Sequence, residues 1–277
     1  MIPVILHRDL PEDELQACYK YFGFPNTFSS RSLVLSNDLV IPRYSSLPFY
    51  LELENDVKLK GARLINSYDQ HQFCADIHEW YRIFENYTPK MYDSVWSELP
   101  KDKFFVLKGK TNSRKHNWNT KMFAKGRSEV VEVARRLYDD EFIAEQGLVV
   151  REYVPLVTFA EGINGLPITE EYRCFFYKHN LLATGFYWGN YEEFSKPISQ
   201  DGLKFAKQMG KIGGDFCNFY CIDIARTQSG EWIVIELNCG TMSGLGLVDP
   251  ETLYMALKAN VVADMMRDSL SLTKIRD

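Results

Sequence analysis

The chain has 277 residues, of which 45% are hydrophobic, 14% aromatic and 25% charged. That is the composition of a folded protein of about two domains, or of two or three lobes, and it excludes disordered and collagen-like classes. The 32 basic and 37 acidic residues leave a formal net charge of -5, without the positive excess of a general nucleic-acid binder.

In chain order, residues 2–7 read as a buried strand. Pro11-Glu12-Asp13-Glu14 suits a helix start, with apolar periodicity to about Phe22. Short β-rich runs at 33–35 and 39–41 precede a loop at Arg43-Tyr44-Ser45-Ser46-Leu47-Pro48. Ser67 and Gln70 form a capping box ahead of one helix that places Phe73, Ile77, Trp80 and Phe84 on a single face. Pro89 and Pro100 bracket the connection to a second lobe, so the expected division is 1–100 and 101–277.

Beyond that boundary, 104–108 reads as a strand, Val130, Val133, Ala134 and Leu137 as a helix entered at Ser128, and 148–154 as a strand. Segments 172–177 and 181–188 form a hairpin around Lys178-His179-Asn180. A helix from about Gly202 should stop at Gly213-Gly214 through a left-handed residue. A second hairpin, 219–225 with 232–237, turns at Ser229-Gly230, and a last helix begins at Asp249-Pro250. The fold class expected is α/β, in α+β lobes.

Cys18, Cys74, Cys174, Cys217, Cys221 and Cys239 form no C-x-x-C pair and no zinc spacing, so they read as reduced, buried thiols. The opening residues carry neither a basic leader nor a small-residue cleavage site, and no run of about 18 apolar residues occurs. A cytoplasmic location without membrane association is expected.

The second hairpin carries the chemistry. A two-residue turn at Ser229-Gly230 sets Asp223 opposite Glu236, with Asn238 two residues along on the same face. Two carboxylates about 5 Å apart repel unless a cation lies between them, and hard oxygens of this kind suit magnesium. On this reasoning Glu236→Gln leaves the nucleotide-free protein no less stable. The opposing reading is a solvated polar face. The apolar run Trp232-Ile233-Val234-Ile235 leading into these residues argues against it, because an interior strand gains nothing from ending in an unused carboxylate.

Lys108 and Lys110 face the same way at a strand end and lead into a polar loop, 109–121, with Arg114, Lys115 and Lys121. Such a loop suits a lid over phosphates, with a solvated turn as the alternative. Gly109-Lys110-Thr111 is not a P-loop, because Phe104 stands where that motif needs glycine. Arg173, inside an aromatic strand, suits a phosphoryl group or a carboxylate, and Glu171 shares its face. Arg43 and Arg151 are expected to be exposed. His71 and His78, two turns apart on one helix, suggest no metal. Aromatics at Trp188-Gly189-Asn190-Tyr191 are candidates for an acceptor pocket.

Asp-x12-Glu-x-Asn on adjacent strands, followed by Cys239-Gly240-Thr241-Met242-Ser243-Gly244, resembles the metal-binding signature of the ATP-grasp superfamily, including D-alanine:D-alanine ligases. Phe105-Val106-Leu107-Lys108 resembles its phosphate-contacting strand, and Val149-Val150-Arg151-Glu152-Tyr153-Val154 its adenine hinge. Gly61-Ala62-Arg63-Leu64-Ile65-Asn66-Ser67 and Tyr87-Thr88-Pro89-Lys90 resemble the lobe that precedes it. With Arg43-Tyr44-Ser45 and Glu171-Tyr172-Arg173, the chain looks most like the clade nicknamed R-two-K.

The resemblance implies an ATP-grasp fold with a preceding N-terminal α/β lobe, then a nucleotide lobe at about 101–150 and a metal and substrate lobe at about 151–277. ATP would be bound by Lys108, Lys110, Lys121, Arg151, Glu152, Tyr153, Val154 and Glu171. Mg2+ would sit on Asp223, Glu236 and Asn238, and Arg173, Lys108 and Lys121 would act in catalysis. Sequence does not choose between Lys110 and Lys121 as the lid lysine. The implied reaction activates a carboxylate as an acyl phosphate, joins it to an amine or thiol, and releases ADP and phosphate. The substrates would be a small molecule, amino acid or peptide carrying the carboxylate, plus an amine acceptor. The rival reading is an assembly factor that binds Mg-ATP without ligase turnover. A nucleotidyltransferase using Lys108 is weaker, because Gly109-Lys110-Thr111 replaces the Lys-x-Asp-Gly of those enzymes.

Overall fold

The structure, a computed structural model, describes residues 1–95, 98–111 and 113–273. Asn112 of the expected lid, and the end of the 101–277 lobe, lie outside the described residues. Four short sheets carry the described chain.

The first contains β1 (Ile2–His7), β2 (Thr27–Phe28), β3 (Asp38–Arg43) and β4 (Arg63–Leu64), all parallel in the order β2-β1-β3-β4. Its helices are α1 (Glu12–Phe22) and α2 (Tyr50–Leu59). The expected strand at 33–35 is absent: a short 3-10 turn, Arg31–Leu33, stands there, and Leu35 N–H donates to Asp38 Oδ2 (2.8 Å) rather than to a sheet partner. Sequence reading passed over α2, although Tyr50, Leu53, Glu54 and Val57 are its buried face. A glutamate within that stripe hides the period.

The expected helix after Ser67 is two helices, α3 (Tyr68–Ala75) and α4 (Ile77–Phe84), so His71 and His78 lie on separate elements. The capping box forms as expected. Asp76 breaks the run in extended conformation and caps α4 by accepting from His78 N–H (2.8 Å).

The second sheet, in the order β5-β8-β6-β7, contains β5 (Met91–Tyr92), β6 (Phe105–Gly109), β7 (Phe123–Ala124) and β8 (Leu148–Glu152). It packs on α5 (Val130–Tyr138) and α6 (Glu141–Gln146). Strands β9 (Thr158–Glu161) and β10 (Pro167–Thr169), which sequence reading did not anticipate, form a separate antiparallel pair. The last sheet is β11 (Glu171–Tyr177), β12 (Asn180–Phe186), β13 (Phe219–Arg226) and β14 (Trp232–Cys239), in the order β12-β11-β13-β14. It is flanked by α7 (Gln200–Gly213) and α8 (Pro250–Thr273).

This last sheet is buried on both faces. One face packs on α3, α4 and α7 through Trp80, Phe84, Phe176 and Tyr220, and the other on α1, α8 and the N-terminal strands through Ile5, Ile41, Phe219 and Leu253. Residues before 100 thus reach both later four-stranded sheets, since β5 also pairs with β8. Glycines end α7 for reasons of space: Gly214 has an ordinary φ of -65°, and a Cβ there would lie 2.6 Å from the Lys178 carbonyl carbon. The left-handed stop expected at that point is not used.

His71 is fully buried, stacked on Tyr50 with ring centroids 4.0 Å apart, and neither ring nitrogen has a hydrogen-bond partner among the described residues. Burial pulls its pKa down to about 4. The folded protein therefore keeps His71 neutral while the unfolded chain protonates near 6.5, so this stability is complete above about pH 6.5 and is lost as pH falls toward 4. His71→Phe is expected to remove up to about 3 kcal/mol of that acid sensitivity, read as a flatter dependence of urea-unfolding free energy on pH across this window.

Candidate active site

Strand alternation sets the site. On β6, Phe105 and Leu107 turn into the core against α5, which leaves Val106 and Lys108 on the opposite face. On β8, paired as Val106↔Arg151, Leu148 and Val150 are in that same core and Arg151 faces the cleft. The far wall comes from β14. The loop joining β13 to β14 is longer than expected, with Arg226 opposite Trp232, but the register shifts between Asp223 and Ile224, and Asp223 faces Glu236 after all. The residue added by this bulge is Ile235, and it lets Ile233, Ile235 and Glu236 all line the cleft.

The cleft has roughly 820 Å3 counting its open mouth, within the range of ligand sites. Of the residues singled out in the sequence, it gathers Lys108, Arg151, Glu152, Tyr153, Val154, Glu171 and Glu236. The Glu152 carboxylate is engaged at the rim by the Tyr92 hydroxyl (2.7 Å). Lys110 is not in the lining; its side chain lies against Gly147. Lys121 is also outside, on a π-helical turn, Trp118–Met122.

The lysine of this loop that enters the cleft is Lys115, counted among the cations of the expected lid but not among the residues expected to bind the nucleotide. Its Nζ donates to the Tyr187 hydroxyl (2.7 Å), lies 5.0 Å from the Trp188 ring and is 3.9 Å from Glu171 Oε1. The available signal was the aromatic pair Tyr187-Trp188, a natural seat for a buried ammonium. Trp188, proposed for an acceptor pocket, instead walls this cleft. The loop is tied down by Arg114 to Asp140 (2.5 Å) and by Asn164 Nδ2 donating to His116 O (2.6 Å).

Both carboxylates of the hairpin have cations from the chain itself. Asp223, fully buried, accepts a fork from Arg173 (Nε and Nη2, each 2.8 Å), and Arg173 Nη1 donates to Gly244 O (2.6 Å). Burial opposes the Arg173 charge, but Asp223 outweighs it and raises its pKa well above the ordinary value. Glu236 pairs with Lys108. Burial, then Arg151 and Lys115, bring Lys108 down to about 7, against the pull of Asp223 and Glu171. Glu171 Oε1 is buried without a hydrogen-bond partner among the described residues while Oε2 accepts from Thr169 (3.1 Å), and burial raises the pKa of this carboxyl.

Arg151 and Arg43 correct the expectation of exposure. Arg151 is 6% exposed and donates to Ile235 O (2.8 Å) and Thr88 Oγ1 (2.7 Å), with Nε unpartnered; among the described residues no carboxylate pairs with it. Burial brings it down to about 10. Arg43 is 3% exposed, forked on Glu14 (2.9 and 2.7 Å), and donates to Ser243 O (2.9 Å) in the loop after Asn238.

Asp223, Glu236 and Asn238 offer the hard oxygens that magnesium takes. Among the described residues no group of three or more His, Cys, Asp or Glu side chains could hold a metal, so the Asn238 amide is needed to complete a set. That amide has no hydrogen-bond partner among the described residues, whereas each carboxylate is shared with a cation of the chain. The donor chemistry fits the ion.

Residues 98–257 match the model of the ATP-grasp domain, R-two-K clade family 3. The chain belongs to that family. The fold agrees: D-cycloserine synthetase DcsG superposes with a TM-score of 0.60 at 15% identity, over 93% of this chain and 99% of that one. D-alanyl-alanine synthetase A from Vibrio cholerae O1 biovar eltor gives 0.57 at 9% identity, over 91% and 92%. The ATP-grasp ligase PsnB, complexed with a precursor peptide and AMPPNP, gives 0.56 at 9% identity, over 95% and 97%. No curated protein sequence matches the chain.

In this ATP-grasp chain Lys108, Lys115 and Arg151 converge on one cleft, and Arg151 is the cation without an acidic partner among the described residues. Arg151→Met is expected to change the apo unfolding free energy by less than about 1 kcal/mol, because two lost hydrogen bonds offset a relieved buried charge. The same variant should lose most of the rise in Tm produced by Mg-ATP, measured by differential scanning fluorimetry.

Proposed function

We propose that the chain is an ATP-dependent ligase that activates a carboxylate as an acyl phosphate and joins it to an amine or thiol, releasing ADP and phosphate. The observation that carries this reading is the convergence of Lys108, Lys115 and Arg151, which has no carboxylate partner among the described residues, beside Glu236 and next to the Arg173–Asp223 fork. Two buried cations, Lys108 and Arg151, and the half-buried Lys115 have fewer carboxylate partners among the described residues than charges, and form a site suited to a polyanion. The hinge residues Tyr153 and Val154, with Val106, Met122, Ile233 and Ile235, supply an apolar slot for a flat base.

Within this reading Lys108, Lys115 and Arg151 neutralise the polyphosphate, and Arg173, already oriented by Asp223, stabilises charge at the group in transfer. The anchored lid, with Trp118 and Lys115 in the cleft wall, excludes water from an activated acyl group. Magnesium, held by Asp223, Glu236 and Asn238, would neutralise phosphate oxygens when bound. The nucleotide lobe is assigned to about 101–150 and the metal and substrate lobe to about 151–277. An amino-acid or peptide substrate is favoured by the likeness to PsnB, which is complexed with a precursor peptide. No helix among the described residues is long and apolar enough to cross a membrane. All six cysteines are free and buried, which supports a reducing, cytoplasmic location.

The test has two stages. Mg-ATP should raise Tm, since it binds only the folded state; no rise in folded protein would remove the nucleotide site. ADP release should then appear in a screen of amino acids and peptides, with products identified by mass spectrometry. Binding without ADP release under any acceptor would favour the assembly-factor reading.

A further inference from the structure

Thr88 joins the two walls of the nucleotide cleft through one hydroxyl. Its Oγ1 donates to Val234 O (2.8 Å) on β14 and accepts from Arg151 Nη2 (2.7 Å) on β8. A hydroxyl can do both at once, because it donates one proton while its lone pairs accept. The backbone fixes where this hydroxyl lies. Thr88 follows the 3-10 turn Glu85–Tyr87 and precedes Pro89, which lines the cleft. Just beyond, the Lys90 carbonyl accepts from Glu152 N–H (2.8 Å) and Met91 pairs with Arg151. Thr88 is thus fastened to β8 through the main chain, and its side chain reaches β14.

The bulge in β14 explains why donors are needed there. Ile235 is the residue that the bulge adds, and β14 is the edge strand of its sheet, so carbonyls turned away from β13 require donors from outside the ladder. Arg151 Nη1 supplies Ile235 O (2.8 Å), and Thr88 supplies Val234 O. The guanidinium is thereby fixed at two corners by oxygens from separate segments. Its Nε is buried with no partner among the described residues, and no carboxylate among them pairs with its charge. An anionic ligand in the cleft is what completes it.

Resting on the nucleotide site of the ligase reading above, we propose that Thr88 is the positioning residue for Arg151: its hydroxyl holds the guanidinium against the β14 bulge so that the remaining donors meet the polyphosphate of ATP. Without the hydroxyl, Arg151 keeps a single anchor, Ile235 O, and turns about it. The charge stays in the cleft, but its donors are no longer preorganised, and affinity for the polyphosphate falls.

Trp118 and Trp188 line the cleft, so their fluorescence can follow a titration of the full chain with Mg-ATP. Thr88→Val, which keeps the shape and loses the hydroxyl, is expected to bind at least about tenfold more weakly than the parent, as for a lost hydrogen bond to a charged group, while Thr88→Ser stays within about threefold. In an Arg151→Met background, Thr88→Val should change affinity by less than about twofold, because the group that it positions is gone. A merely structural role for Thr88 predicts the same loss in both backgrounds. Unchanged affinity in Thr88→Val, no recovery with serine, or equal losses with and without Arg151 would overturn the assignment while the parent still binds. A folded parent that does not bind Mg-ATP would sink the nucleotide reading, and the assignment with it.

Discussion

Glu236→Gln is expected to abolish nucleotide turnover and also to lower the stability of the nucleotide-free protein by about 1 to 3 kcal/mol. This reverses the sign that carboxylate repulsion alone implies. Asp223 and Glu236 are neighbours, as their positions on the hairpin require, but each is neutralised by its own cation, so removing one charge relieves little. What it does instead is strand Lys108, 6% exposed, beside Arg151 and Lys115. The loss stays below the full cost of breaking a buried pair, because a lysine already brought down to about 7 can shed its proton near neutrality. Urea unfolding of the apo variant at neutral pH checks the stability, and ADP release with an active acceptor checks the turnover. A variant at least as stable as the parent would show that Lys108 draws nothing from Glu236.

Arg173→Met has the largest expected effect on the fold. Asp223 is completely buried and both its oxygens are held by this one guanidinium, so the substitution leaves a carboxylate in the core of a four-stranded sheet without that partner. The expected cost is about 3 to 5 kcal/mol. It should be largely recovered in the double variant Arg173→Met with Asp223→Asn, which removes the orphaned charge. Turnover should be absent from both, because the group proposed to stabilise the phosphoryl in transfer, which also braces Gly244, is gone. Unfolding free energies of the two variants, with ADP release measured in parallel, separate the structural part of the pair from the catalytic part. Activity retained in the stable double variant would remove Arg173 from the mechanism.

Features that rest on neighbours along the chain were legible in the residues alone. The opening strand and helix, the Ser67 capping box and the Asp223–Glu236 juxtaposition all follow from local period, caps and a short connection. The juxtaposition survived a wrong turn length because a bulge restored the register, and no residue pattern announces a bulge. Which charges meet was settled only by packing. Arg173 reaches Asp223 across 50 residues, Lys108 reaches Glu236 across 128, and Arg43 reaches the loop after β14 across about 200. Polar residues such as Arg43, Lys115 and Arg151 look solvated in one dimension because a charge is costly to bury without a partner. Their partners are a glutamate on α1, two aromatic rings on the approach from β12, and carbonyl and hydroxyl oxygens on other segments. Only the packing of the sheets brings those groups within reach, so the depth of each cation, and with it the shape of the site, was set by long-range contacts that local pattern does not encode.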